Sequence, residues 1–396
     1  MLNSRSALFL LVVFFISRTC VSFQFQSLTP LFDFLDQRLH IGSTGFGLLL
    51  GLYMAPGALI AVVLPWLMSR LGDRKVLMVA LLLMSLGHCL LMWSQDDVLA
   101  YGARLMSGFG GCVVYIATID FASKYCSAGE QPARMGLVAS SWPFGNAVSL
   151  LVQGGLVSMG STSTAAYTPV ALSLFALLMV LASKRLFDDG AGKAHSGTDR
   201  AQSKDILASW KQALAVCTFP GLTFALYNIG FIVFVSFSMS LLTSQGYSPS
   251  AASSIASLPM WMFFISVPLG GMLAGRSHNM ARSLVTLGCI GGALCMGASY
   301  LFEAKAFWYV AAGMCGGLPT GPMLSKVGRK DHVLFYPAIF LIFFLALLVL
   351  PPLVGLAIDM FNNQLSAIVM AIFLVVTGWC LYLPSVRQSP AQAKST

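Results

Sequence analysis

The chain has 396 residues, of which 57% are hydrophobic and 9% are charged, and its mean hydropathy is +0.80. Soluble globular proteins carry about a quarter charged residues, so this composition excludes a water-soluble protein and predicts one that spans a membrane. The formal net charge of +9 would suit nucleic-acid binding, but the positions of the basic residues, given below, argue against it.

Long continuous apolar runs predict membrane-spanning helices rather than a β-barrel. A barrel strand alternates apolar and polar residues over about ten positions. The runs here are about 20 residues long, as in 339–358, which is the length a helix needs to cross about 30 Å of hydrocarbon. The sequence therefore predicts an all-α polytopic membrane protein with twelve transmembrane helices in two six-helix bundles. The predicted spans lie near 6–27, 44–68, 76–94, 99–122, 134–157, 166–184, 220–243, 250–274, 282–301, 304–325, 333–357 and 364–384.

The first predicted span, 6–27, has a cleaved secretory signal as its alternative. In that alternative, residues 1–24 form the signal and Arg5 is its basic region. However, Arg18 stands where a cleavage site needs a small residue, and the apolar stretch continues to about Leu28. We therefore predict that this segment is the first membrane helix.

Arg18 is the main candidate for substrate binding. It lies about 12 residues into a helix that starts near Ser6, which is about 18 Å deep and close to the midplane of the membrane. A charge at that depth costs a few kcal/mol or more, so it normally faces the bundle interior or a water-filled cavity. The alternative is a structural pair with carbonyl groups or a buried acid. The acids near helix ends or in loops are Asp33, Asp36, Asp96, Asp97, Asp120, Glu303 and Asp359.

Because no acid is predicted near the midplane, an anionic substrate is the favoured partner of Arg18. The planar guanidinium group suits carboxylate, nitrate-like or phosphate groups. Arg104 lies five or six residues from the outer end of the fourth span, where its side chain can also reach the membrane interface. A substrate contact and a structural role are both open for Arg104.

Polar residues in the fifth and seventh spans complete the predicted site. Trp142 and Asn146 are four residues apart, so they share one face of a helix. Tyr227 and Asn228 would supply neutral hydrogen-bond donors to an anion without adding charge. The alternative for these residues is hydrogen bonding between helices, which is common for amide side chains in membranes.

A polar stretch, KRLFDDGAGKAHSGTDRAQSKD, separates the sixth and seventh spans and has the composition of a flexible linker. It divides the chain into an N-terminal six-helix bundle over 1–184, a cytoplasmic linker over 185–212 and a C-terminal six-helix bundle over 213–387. Residues 388–396 are predicted to be a cytoplasmic tail.

The basic residues predict the orientation of the chain. Nineteen lie on the side that holds both termini, whereas only Arg38 and Lys305 lie on the other side. Since cytoplasmic loops carry the excess of Lys and Arg, both termini are predicted to be cytoplasmic. The net positive charge is thus a topology signal, and we expect no nucleic-acid partner.

The two halves also repeat. A shift of 206 residues aligns Arg70 with Arg276, and it aligns the glycine pair 110–111 with the pair 316–317. Internal repeats of membrane helices are typical of secondary transporters, whose substrate sites lie near the midplane.

With these features the sequence resembles the major facilitator superfamily over nearly its whole length. The loop PWLMSRLGDRKVLM, 65–78, is similar to the signature loop of that superfamily, although Pro65 replaces its usual glycine and Ser69 its usual acid. The segment RLMSGFGG, 104–111, resembles the R-x-x-x-G-x-G element. The resemblance implies alternating access between two bundles, and an inward-pointing Arg104 that assists the conformational cycle.

A narrower resemblance is to the cyanate-permease and nitrate/nitrite-porter-like branch. It rests on the arginine of the first span, on HIGSTGFGLLLGLYMAPGAL in the second, on QGYSPSAASSI at the eighth and on GGLPTGP in the tenth. Members of that branch typically move small anions.

The superfamily resemblance also implies a charge network that locks the outward-open state. Its members here would be Gly72, Asp73 and Arg74, with Asp120 pairing with Arg74. The alternative is a plain cytoplasmic anchor, since Ser69 replaces the acid of the network.

Motifs for enzymes, ATP binding and metal ions are missing from the sequence, so we expect neither a cofactor nor enzymatic activity. The predicted function is secondary transport of a small organic or inorganic anion by a monomer in the bacterial inner membrane, coupled to a proton or a counter-anion. The alternatives are a drug-efflux or neutral-solute carrier of the same fold, and a membrane sensor that transports nothing.

Overall fold

A computed structural model describes residues 4–124, 131–187, 206–274, 276–325 and 335–387. Every regular element among these residues is an α-helix, and the predicted all-α polytopic membrane fold is confirmed. The predicted tail 388–396 and most of the predicted linker 185–212 lie outside the described residues. The helices are α1 Ser4–Gln26, α2 Phe32–Leu39, α3 Gly42–Met54, α4 Gly57–Leu71, α5 Asp73–Trp93, α6 Asp97–Lys124, α7 Gln131–Ser158, α8 Thr162–Ala182, α9 Ile206–Ser244, α10 Pro249–Ala274, α11 His278–Leu301, α12 Lys305–Gly317, α13 Thr320–Ser325, α14 Phe335–Phe361 and α15 Leu365–Arg387.

Each predicted span coincides with one helix or with a pair of helices. Ten helical stretches of the described residues have the length and hydropathy to cross a membrane. The second predicted span is divided into α3 and α4 at Pro56, and the tenth into α12 and α13 at Pro319. Proline has no N–H to donate to the preceding turn, which explains why the helices end there. The helix α9 begins at Ile206, so the last residues of the predicted linker are helical.

The short helix α2 was not predicted. It places Leu35 and Leu39, one turn apart, in buried positions, and it ends at His40, which has a left-handed conformation with φ 52°. The pair of leucines at a spacing of four is the sequence signal for this helix. Its eight residues are too few to span a membrane, which is why hydropathy alone does not find it.

Contacts divide the chain into two compact units. The first consists of Met1–Ile41 and Leu52–Lys204, and the second consists of Gly42–Gly51 and Asp205–Thr396. The segment Gly42–Gly51, which the six-plus-six division assigns to the N-terminal bundle, thus packs with the second unit. The predicted domain boundaries stay a prediction.

In the first unit, α1 and α7 lie with their backbones in close contact. The Oγ of Ser22 donates to the Ser141 carbonyl at 3.1 Å, and the Oγ of Ser149 donates to the Phe23 carbonyl at 2.8 Å. A Cβ on Gly145 would lie 2.0 Å from the Ser22 Oγ, so only glycine permits this approach. The close packing brings Trp142 and Asn146 of α7 next to the helix that carries Arg18.

In the second unit, the start of α3 is held by α14. The carboxylate of Asp359 accepts from the Ser43 N–H at 3.0 Å and from the Thr44 N–H at 2.8 Å, and also from the Thr44 hydroxyl at 2.6 Å. The first N–H groups of a helix have no partner inside the helix, and a negative charge is favourable at that end. Asp359 therefore acts as an N-terminal cap supplied by another helix.

Candidate functional site

Arg104 is buried at the end of α1. Its Nη1 donates to the Gln24 carbonyl at 3.3 Å and its Nη2 to the Phe25 carbonyl at 3.2 Å, and its guanidinium carbon lies 4.2 Å from the centre of the Tyr53 ring. These carbonyls belong to the last turn of α1, which ends at Gln26, so they lack partners within the helix. The cation also offsets the negative end of the helix dipole. This geometry favours the structural alternative for Arg104, and a substrate contact stays a prediction.

Three more basic side chains serve helix ends in the same way, with N···O distances of 2.6 to 3.2 Å. They are Arg38 on the Leu91 and Met92 carbonyls at the end of α5, Arg74 on the Val180 and Leu181 carbonyls at the end of α8, and Lys305 on the Tyr300 carbonyl at the end of α11. Each supplies a donor to carbonyls that the helix leaves open.

The predicted gating residues lie where the chain passes from α4 to α5, with Asp120 in α6. Gly72 joins the two helices with φ 78°, a conformation that favours glycine, and Asp73 occupies the first turn of α5. A carboxylate in that turn stabilises the helix through its dipole. Arg74 donates to α8, as described above, and its predicted pairing with Asp120 stays a prediction.

Arg18 differs from all of these cations because it serves no helix end. Its Nη1 donates to the carbonyl of Tyr115, which lies inside α6 and already accepts a hydrogen bond within the helix. Its Nε is buried and has no acceptor, and the side chain is only 4% exposed. The guanidinium group therefore retains donor capacity in a place from which bulk water is excluded.

The surroundings of Arg18 are aromatic. Its guanidinium carbon lies 3.7 Å from the centre of the Tyr115 ring, and the Trp142 ring meets that of Tyr115 edge-on at 5.3 Å between centroids. Such stacking orients a guanidinium group without neutralising its charge. Within the described ranges, no carboxylate contacts Arg18. The arrangement therefore holds a positive charge in a fixed orientation.

Asn146 adds a hydrogen-bond acceptor on the same helix as Trp142. Its Nδ2 donates to the Trp142 carbonyl at 2.9 Å, whereas its Oδ1 is buried without a partner. A backbone carbonyl can only accept, so the amide nitrogen must face it and the oxygen must point away. Asn146 therefore presents an acceptor with the orientation of its amide fixed.

Tyr227 and Asn228 lie in the second unit, and the side chain of each donates a hydrogen bond to a backbone carbonyl of that unit. The Tyr227 hydroxyl donates to the Gly316 carbonyl, and the Nδ2 of Asn228 donates to the Phe224 carbonyl at 2.8 Å. Tyr227 is fully buried. In this conformation the Tyr227 hydroxyl already donates its proton, so a hydrogen bond to an anion would require it to break the bond to the Gly316 carbonyl. Their role as donors to a substrate stays a prediction.

Two residues of the site region were missed by the sequence analysis. Tyr115 carries the ring and the carbonyl that hold Arg18. Gln153 is fully buried, and neither atom of its amide group has a partner among the described residues. Gln153 follows Asn146 by seven residues, which places both on one face of α7, and this spacing was the available signal. Nothing in the sequence marks Tyr115 as the partner of Arg18.

The family model described as Major Facilitator Superfamily matches residues 14–333. One similar solved structure is a bacterial homologue of the human lysosomal transporter Spinster in an inward-facing, unoccupied conformation, with TM-score 0.73, 13% identity and 98% of each chain covered. Another is the xylose transporter XylE from E. coli in a partially occluded inward-open conformation, with TM-score 0.76, 11% identity and coverage of 99% and 100%. No curated protein sequence matches the chain.

Proposed function

Since this chain belongs to the major facilitator superfamily, we propose that it is a secondary active transporter of a small organic or inorganic anion. It would work by alternating access, in the bacterial inner membrane and as a monomer. The likeness to solved transporters, at 11 to 13% identity, supports the fold and leaves the substrate to be argued from the site. The resemblance to the cyanate-permease and nitrate/nitrite-porter-like branch points the same way as that argument.

The observation that carries the proposal is the incomplete hydrogen bonding of Arg18. A buried polar group without a partner costs about 1–3 kcal/mol, and more when it is charged. The other buried arginine, Arg104, serves two carbonyls in the last turn of α1, whereas Arg18 serves no helix end and leaves its Nε open. The Nε of Arg38 is also open, but that side chain is only partly buried and serves two carbonyls at the end of α5. An anion on Arg18 would satisfy the Nε and neutralise the charge together.

The remaining site residues have distinct proposed roles. Tyr115 and Trp142 hold the plane of the guanidinium group, and Asn146 accepts a hydrogen bond from the substrate. Arg104 is a positioning residue that fixes the end of α1. Tyr227 and Asn228 would orient the anion through hydrogen bonds.

The coupling follows from the charge balance at Arg18. No carboxylate among the described residues contacts Arg18, so none of them is placed to accept a proton beside it. We propose that a proton travels with the anion or that a second anion is exchanged for it. Gly72, Asp73, Arg74 and Asp120 would bias the equilibrium between conformations.

A neutral-solute carrier is the second candidate, and one observation favours it. The Oδ1 of Asn146 is an acceptor, which a hydroxyl group of a neutral solute would satisfy. The similarity in fold to a xylose transporter is compatible with a neutral solute. It assigns no task to the charge of Arg18, which is why the anion is preferred.

Uptake into proteoliposomes tests the proposal. Radiolabelled acetate, cyanate and nitrite would be compared for the parent protein and for Arg18→Gln, Arg18→Lys and Lys211→Gln. We expect Arg18→Gln to lower uptake of the transported anion at least about 30-fold, as for loss of a buried charge partner. Lys211 is exposed and serves as the matched control for loss of one positive charge.

The lysine variant separates charge from geometry. Partial activity of Arg18→Lys would mean that charge suffices, and near inactivity would mean that the planar fork is needed. Equal uptake by the parent and Arg18→Gln would contradict the anion proposal. Uptake of a neutral sugar, unaffected by Arg18→Gln, would favour the second candidate.

A further inference from the structure

A groove of about 680 Å³ runs along the surface of the second unit between α11 and α15. One end of it is polar and contains Arg282, Ser283 and Thr286, and the other end is apolar and contains Leu287, Ile290 and Leu294. The polar residues precede the apolar ones along α11, so the α11 wall of the groove changes from polar to apolar once along its length. The groove belongs to the second unit, whereas Arg18 belongs to the first.

The polar end carries an available positive charge. Arg282 and Ser283 are exposed, and no group in the described part of the chain accepts a hydrogen bond from the Arg282 guanidinium. Arg282 is the fifth residue of α11, close to the helix end that the basic residues predict to be cytoplasmic. The Nε1 of Trp379 donates to the Thr286 hydroxyl at 3.3 Å, which fixes the opposite wall of the groove. Tryptophan is enriched at this level of a membrane.

The groove as a whole is long enough to hold a headgroup and part of one acyl chain. Leu287 and Leu294 are 58% and 68% exposed, so the groove opens toward the hydrocarbon. From Arg282 to Leu294 is twelve residues along α11, which at 1.5 Å per residue is about 18 Å. One leaflet of the hydrocarbon core is about 15 Å thick, so the groove reaches from the headgroup level to the middle of the membrane.

We propose that this groove binds one anionic glycerophospholipid. The phosphate lies at Arg282 and Ser283, and one acyl chain follows Leu287 and Leu294. Charge complementarity selects the occupant, because a basic residue near the cytoplasmic surface attracts anionic headgroups. The length of the apolar wall distinguishes a lipid from a soluble phosphate, which would occupy only the polar end. The lipid would bridge α11 and α15, and its binding does not depend on the transported substrate.

Native mass spectrometry of the purified full chain tests this inference. The protein would be exchanged into mixed micelles that contain equal amounts of phosphatidylglycerol and phosphatidylcholine, and the retained lipids would be counted. We expect one retained phosphatidylglycerol, bound about five-fold more tightly than phosphatidylcholine, as one basic contact implies. Arg282→Gln should remove this preference, and Ser283→Glu should invert it by repulsion.

Arg276→Gln is the matched control, since Arg276 is exposed near the same end of the helix but does not line the groove. It should keep the preference. Equal retention of the two lipids by the parent would overturn the proposal, and so would an equal loss in Arg276→Gln and Arg282→Gln. Binding of inorganic phosphate in place of the lipid, or a dimer that carries no lipid, would also overturn it. None of these results depends on anion transport, so the two proposals fail separately.

Discussion

The two buried arginines of the first unit should respond to the same substitution in different ways. Arg18 and Arg104 are both nearly inaccessible, at 4% and 0% exposed, and both donate to backbone carbonyls. Methionine is the substitution of choice because its unbranched chain fills a similar volume without charge. We expect Arg104→Met to destabilise the protein strongly and Arg18→Met to leave its stability nearly unchanged.

The magnitudes follow from the hydrogen bonds. Arg104 donates to Gln24 and Phe25, and a bond to a charged group contributes about 1.5–3 kcal/mol, so its loss should cost about 3–6 kcal/mol. Substitution of Arg18 removes its bond to the Tyr115 carbonyl, which already accepts a hydrogen bond within α6. The same substitution also removes the unpartnered Nε, which costs about 1–3 kcal/mol, and the two contributions nearly cancel.

Thermal unfolding in detergent measures this difference. At about 2–4 °C per kcal/mol, Arg104→Met should lower Tm by more than about 6 °C, whereas Arg18→Met should stay within about 3 °C of the parent. The stabilisation of the parent by a bound anion should vanish in Arg18→Met. If Arg18→Met loses as much stability as Arg104→Met, Arg18 is structural and the anion site loses its support.

Three other predictions concern contacts at helix ends and between helices. Arg38→Gln should cost less than about 1 kcal/mol, because the Arg38 side chain is only partly buried and water screens its charge, whereas Arg104 is fully buried. A loss equal to that of Arg104→Met would show that burial does not set the cost. Asp359→Asn should weaken the N-terminal cap of α3 by about 1 kcal/mol and speed amide hydrogen exchange in the first turn of α3. An unchanged exchange rate would contradict the role of Asp359 as the cap. Gly145→Val should lower Tm because its side chain forces α1 and α7 apart. Gly155→Val should not lower Tm, because a Cβ at Gly155 has no neighbouring atom within 4 Å. Equal Tm values for the two variants would contradict the close approach of α1 and α7.

The all-α fold and the placement of the apolar helices could be predicted because apolar runs of about 20 residues report directly on the surrounding solvent. The breaks at Pro56 and Pro319 were not predicted, although proline is the physical reason for both. Whether a proline ends a helix or is absorbed within one depends on the packing of its neighbours, since α7 continues through Pro143. Hydropathy contains no information on that packing.

The candidate site shows the same division between local and distant information. The depth of Arg18 followed from its position in one helix, and the shared face of Trp142 and Asn146 followed from their spacing. The structural environment of Arg104 depends on carbonyls that lie about 80 residues away in the chain. A sequence without aligned relatives does not reveal which carbonyl meets which guanidinium group.

The difference between Arg18 and Arg104 therefore lies in the backbone carbonyl that accepts the hydrogen bond and not in the arginine itself. A carbonyl in the last turn of a helix has lost its intrahelical donor, so a cation that reaches it repairs a defect of the fold. A carbonyl within a helix has no such need, and the Tyr115 carbonyl gains little from Arg18. The charge of Arg18 then has no structural task that repays its burial cost, which is several kcal/mol for an ion in a protein interior. Binding of an anion during transport is a function that would maintain such a residue.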